Sequence, residues 1–180
     1  MKMSYSHELL FVAMLSAVLH LSSAMDCKEV WERKHETADC CSAPAILNLD
    51  NLKSNIEGQE GNKHEKFFCG VHNLMKEQNL VDDEGNLDVD AMKQNTEGFD
   101  DEWKQIAQQA IDHCVQKTES MMADMEQRGG PKGQCQPTAG MFLMCLGKAS
   151  IKNCPADKWN SSELCEKVKS GECDKRGHKH

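Results

Sequence analysis

Ten cysteines, at positions 27, 40, 41, 69, 114, 135, 145, 154, 165 and 173, constrain this chain more than any other feature. Their number is even, and all lie after residue 24. The segment before them opens with Lys2, continues through an uncharged, mostly apolar run from Leu9 to Leu21 and closes on Ser22, Ser23 and Ala24. That pattern predicts a secretory signal peptide over residues 1–24. Its apolar run is about 13 residues, short of the roughly 20 a membrane-spanning helix needs. An exported chain meets an oxidising environment, so the cysteines are expected to form disulfides rather than free thiols. Five bridges at about 2–4 kcal/mol each rival the net stability of an ordinary domain, which lets such a fold tolerate a hollow interior. Adjacent Cys40 and Cys41 are too close in the chain to bond one another without strain and are expected to clamp two different segments.

Residues 25–180 suffice for one domain, with a C-terminal extension from about residue 155. The formal charge of −8 argues against nucleic acid or an anionic membrane as partner. Strand signals are scarce, whereas helical spacing recurs, so the expected fold class is all-α: about six to eight short helices around an apolar cavity. Trp103, Ile106, Ala107, Ala110, Ile111, Cys114, Thr118, Met121, Met122 and Met125 follow one another at steps that mark one apolar face. Asp100, Asp101 and Glu102 suit the start of that helix and Gly129-Gly130-Pro131 stops it, with a break near Thr118 allowed by its length. A second helix is predicted over Lys63 to Gln78, ending in the turn Asp82-Asp83-Glu84-Gly85-Asn86. Pro137 opens a third, whose centre Met141-Phe142-Leu143-Met144-Cys145-Leu146 is apolar all round and is expected to be buried on every side. Shorter helices are predicted at Lys28–Thr37, Pro44–Asn55, Val89–Gln94 and Ser161–Lys169, the last capped by Asn160 or Ser161. Lys175, Arg176 and Lys179 belong to a basic, solvated tail.

The cysteine ladder is specific in its spacing. Between Cys41 and Cys69 the positions differ by 28, then by 45 to Cys114, 21 to Cys135, 10 to Cys145, 9 to Cys154 and 11 to Cys165, and Pro155 follows Cys154 directly. This ladder resembles the insect odorant-binding proteins, in particular their plus-C subgroup. The segment Cys69-Gly70-Val71-His72-Asn73-Leu74-Met75 is similar to the family's helix around its second and third cysteines, with Asn73 where the third is expected. The resemblance implies two bridges, Cys69 with Cys145 and Cys114 with Cys154, and removes the family's first-to-third bridge. Cys41 then needs a partner among Cys27, Cys40, Cys135, Cys165 and Cys173, whose order stays open; Cys135, Cys165 and Cys173 are expected to fasten the C-terminal extension to the body.

The function that the resemblance implies is a secreted carrier, which binds odorants, pheromones or similar small hydrophobic molecules and transports them through extracellular fluid such as sensillum lymph. It implies a small apolar ligand, a chemosensory receptor downstream, and a monomer or homodimer with no membrane anchor. A cavity for such a ligand wants soft and flat apolar walls, and Met75, Met121, Met122, Met125, Met141 and Met144 with Phe67, Phe68 and Phe142 supply them, alongside Val71 and Leu74. His72 and His113, beside cysteines on predicted helices, are the candidates for a pH-sensitive opening. The alternative is a secreted scaffold from venom, saliva or reproductive fluid that grips another protein and has a filled cavity.

Enzyme chemistry fails on spacing. Cys40-Cys41 is followed by Ser42-Ala43-Pro44 and not by the histidine and aspartate of a secreted phospholipase. Asp82, Glu84 and Asn86 alternate as in a calcium loop, but the glycine is misplaced and Lys93 stands where the closing glutamate belongs. No cysteine and histidine spacing matches zinc, so no catalytic residue, metal or cofactor is expected. Asn160-Ser161-Ser162 is a glycosylation acceptor in an exported chain.

Overall fold

The computed structural model describes residues 25–130, 133 and 135–173; the signal-peptide expectation over 1–24 and the basic tail lie outside the described residues. Among them are seven α-helices and two 3₁₀ turns, with no strand beyond two isolated bridges, as the all-α expectation required. The helices are α1 (Cys27–Glu32), α2 (Leu52–Glu57), α3 (Lys63–Glu77), α4 (Val89–Gln94), α5 (Asp101–Gln127), α6 (Thr138–Lys152) and α7 (Glu163–Ser170). The 3₁₀ turns are Lys34–Cys40 and Ala156–Lys158.

Local chemistry sets the boundaries. Asn62 accepts from the backbone N–H groups of His64 and Glu65 while the Glu65 carboxylate accepts from Asn62 N–H, a reciprocal cap that starts α3. Asn79, at φ 56°, turns the chain out of the helix, and Leu80 N–H closes back on Met75 C=O at 2.9 Å. Asp100 caps α5 through Trp103 N–H at 2.9 Å. With no glycine or proline inside it, α5 runs unbroken past Thr118, which is buried. Around residues 44–55 the helix begins only at Leu52, because Ile46 and Leu47 are spent plugging the core from an irregular segment. Ser162, not Asn160 or Ser161, caps α7.

The main core forms where α3, α4, α5 and α6 meet, filled by Trp103, Phe142, Met75, Leu80, Met92 and Ile111. Trp103 Nε1 donates to Pro44 C=O at 2.9 Å, which satisfies the one polar atom of that ring and pins the irregular segment. α2 lies against α3 where Gly70 leaves no room for a side chain: a Cβ there would stand 2.8 Å from the backbone of Ile56. A satellite cluster of Met25, Val30, Leu164 and Cys173 joins the two ends of the chain. α6 is not buried on every side as expected. Its Phe142 and Leu146 face the core, but Met144 is 47% exposed, because no described element covers that side.

The bridges are Cys27–Cys173, Cys40–Cys165, Cys41–Cys154, Cys69–Cys135 and Cys114–Cys145, and no described cysteine is free. Cys40 and Cys41 do clamp two different segments, and Asn160 N–H to Cys40 C=O with Ser42 N–H to Lys158 C=O seals that seam. The two bridges inferred from the resemblance are corrected. Cys69 takes Cys135, which precedes α6 at the end lying beside α3, whereas Cys145 sits about 10 Å further along the helix and faces α5. Cys145 therefore takes Cys114, and Cys154, released by that exchange, takes Cys41. Of the three cysteines expected to fasten the C-terminal extension, Cys165 and Cys173 do so, while Cys135 serves the body.

Candidate ligand cleft

A cleft of about 830 Å³ opens between α1, α5, α6 and α7, within the range of small-molecule sites. α6 supplies Cys145, Lys148, Ala149 and Lys152, whose three- and four-residue steps put them on one face. α5 supplies His113 and Lys117, one turn apart. Val30 and Trp31 come from α1, and Val168 with Lys167 and Lys169 from α7. Val30 is buried and Cys145, Ala149, Ile151 and Val168 are half-buried, which gives the cleft an apolar floor, whereas Lys34, Lys117, Lys148 and Lys152 are exposed around it.

Disulfides fix the walls. Cys114–Cys145 ties α5 to α6, and Cys27–Cys173 ties α1 to the end of α7. Trp31 Nε1 donates to Cys173 C=O at 3.1 Å, so the indole stays anchored by its edge while its ring is 46% exposed at the mouth. Gly171, at φ 68°, turns the chain sharply enough after α7 for Cys173 to reach back.

The charge of the cleft is one-sided. Lys34, Lys117, Lys148, Lys152, Lys167 and Lys169 line it, and among the described residues no Asp or Glu does. Lys167 pairs with Glu172 at 2.8 Å, and Lys169 sits 4.2 Å above the Trp159 ring, on whose other side of the seam Glu166 accepts from the indole N–H. Glu36, two residues on from Lys34, is held by two bonds from Arg33 at 2.8 and 2.9 Å, which keep its carboxyl below the usual range. Lys34, Lys117 and Lys152 have no carboxylate partner among the described residues.

The residues expected from the sequence fall elsewhere. Val71, Leu74, Met75, Met141 and Phe142 are buried in the helix core. Phe67 and Phe68 pack edge to face, half buried, and Phe68 lies flat enough on α6 that a Cβ at Gly140 would be 2.3 Å from its ring. Met121 is 42% exposed on the overhanging end of α5, with Met122 and Met125 half buried near it. None of these eleven residues, which include the exposed Met144, lines the 830 Å³ cleft or three smaller ones nearby on the surface. His113 lines the cleft; His72 is buried on another side of the molecule with Nδ1 unpaired. An acidic hollow of about 760 Å³ lies over the turn after α3, where Asp82 is already engaged by Asn86 N–H and Nδ2, both at 2.7 Å, which lowers its pKa. The cleft lysines could have been found from the four-residue steps 113–117 and 148–152, which put each pair on one helix face.

Two comparisons with known proteins bear on these features. The family model described as AgamOBP47-like matches residues 59–171, which run from just before α3 to the turn after α7. Odorant-binding protein 47 of Anopheles gambiae is 24% identical over 169 residues, a stretch that covers 83% of this chain and 60% of that protein. The chain thus spans about 60% of the length of the curated relative it matches.

Proposed function

The chain belongs to the AgamOBP47-like family of insect odorant-binding proteins, and from that premise we propose that it is a secreted carrier that takes up small apolar molecules in the cleft between α1, α5, α6 and α7. One observation supports this above the rest: the cleft combines ligand-sized volume with a floor of Val30, Ala149, Ile151 and Val168, and covalent bridges hold its walls. Burial of apolar ligand surface supplies affinity at about 25 cal/mol per Å². The action is uptake and release, not turnover. The gene product's passage into an extracellular fluid follows from the predicted signal segment and the disulfides.

Uptake of the neutral fluorescent probe N-phenyl-1-naphthylamine by the fully oxidised protein tests the reading. The expected result is saturable binding, displaced by medium-chain alcohols and weakened severalfold by Ile151→Glu. No uptake would favour the alternative of a protein-gripping scaffold. Loss of uptake in Met125→Lys but not in Ile151→Glu would move the site to the methionine-rich face predicted from the sequence.

A further inference from the structure

We propose that this cleft selects amphiphiles that end in an anion, a carboxylate or phosphate on a single apolar chain, over neutral molecules of the same length. The inference rests on the carrier reading of the same cleft and adds the chemical class of its ligand. The protein as a whole is acidic, with a formal charge of −8, so its mean field repels anions. Against that background six lysines and, among the described residues, no carboxylate line one cleft.

Several lysines elsewhere on this chain are neutralised by neighbouring acids. Lys93 meets Asp112 at 2.6 Å, Lys104 meets Glu97 at 2.5 Å, and Lys158 meets Asp100 at 3.2 Å and Asp157 at 3.3 Å. Lys117 on α5, Lys152 on α6 and Lys34 on the 3₁₀ turn, all of which line the cleft, lack such partners among the described residues. The nearest acid on the 3₁₀ turn, Glu36, is fully engaged by Arg33. The same cleft carries the buried or half-buried apolar surface of Val30, Ala149, Ile151 and Val168, which an alkyl chain covers and an inorganic anion does not. The combination of apolar surface with the unpaired Lys34, Lys117 and Lys152 fits an anionic amphiphile on both counts. A neutral odorant uses only the floor.

Displacement of N-phenyl-1-naphthylamine by dodecanoate, dodecyl phosphate and dodecanol, below their aggregation concentrations, decides the matter. At about 20 mM salt the two anions should displace the probe at roughly tenfold lower concentration than dodecanol, a gap that narrows at about 0.5 M salt. The double variant K117E/K152E should close the gap. K53E/K63E, with the same change in net charge at positions outside the cleft, should keep it. Equal displacement by acid and alcohol in the native protein, or a gap that survives K117E/K152E, overturns the selectivity while leaving the carrier reading in place. Failure of the native protein to take up the probe overturns both. A gap closed equally by K53E/K63E assigns it to net charge and also overturns the proposal. If dodecanoate alone shows the gap, the site is specific for carboxylate; if both anions do, the recognised feature is charge.

Discussion

Removing the outermost bridge, by Cys27→Ala with Cys173→Ala, should cost less than its place in the sequence suggests. The two cysteines are 146 residues apart, and closing a free loop of that length would contribute about 5 kcal/mol. Cys40–Cys165 and Cys41–Cys154 are nested inside it, however, so the chain is already pinned there. What the outer bridge closes is the path of 13 residues from Cys27 to Cys40 and 8 from Cys165 to Cys173, roughly 21 in all, for which the same relation gives about 3.3 kcal/mol. Cys114–Cys145 spans only 31 residues but has no shorter route around it, and it contributes about 3.7 kcal/mol before any cavity is counted. The bridge with the longest span is therefore expected to matter no more than the one with the shortest. Urea unfolding of the two double-alanine variants, followed by circular dichroism, measures both. The outer-bridge variant should also melt about 7–13 °C lower and bind probe more weakly, since α1 and α7 would no longer be held across the cleft. A loss near 5 kcal/mol, exceeding that of the Cys114–Cys145 variant, would refute the nested-loop reasoning. A loss under about 1 kcal/mol would mean that the packing of Met25, Val30 and Leu164 holds the ends unaided.

Gly70→Ala should destabilise by about 1–3 kcal/mol because the new methyl meets the Ile56 backbone, whereas Gly147→Ala, with open space around it, should stabilise by about 0.5–1 kcal/mol; a stabilised Gly70→Ala would disprove the close approach of α2 and α3 in urea titrations. Asp100 is held below the usual carboxylate range by Trp103 N–H and then by Lys158, so its contribution is present above about pH 4 and fades as pH falls through its folded value. The stability gap between the native protein and Asp100→Asn should accordingly be widest near pH 7 and vanish towards pH 2 in denaturation curves taken across that range. Asn160 is exposed, on the seam between Cys40 and α7, and chain secreted from a eukaryotic host should lose mass on treatment with peptide N-glycosidase unless Asn160→Gln is present.

Most of the helical framework was legible in the residues because its signals are local. Val89–Gln94 was placed as it stands, α3 and α5 within a residue or two, and α6 at its start though not at its end, since capping by Asn62 or Asp100, the stop at Gly129 and Gly130, and the spacing of apolar residues all act within one or two turns. The identity of the family was legible too, in the ladder of cysteine spacings. Partnership between cysteines was not. Which of Cys135 and Cys145 meets Cys69 depends on how far α6 slides past α3, a quantity fixed by the seating of Phe68 on Gly140 and Phe142 in the core. The same holds for the methionines: periodicity shows that Met75 and Met144 belong to helices, but only the packing of those helices buries one and leaves the other exposed. The cleft is the clearest case. Its lysines come from four separate elements, and a net charge of −8 conceals them entirely, because composition averages over a surface that the fold divides. Sequence determined most of the helices and the family; the tertiary structure alone decided which cysteines pair and which positive charges share a wall.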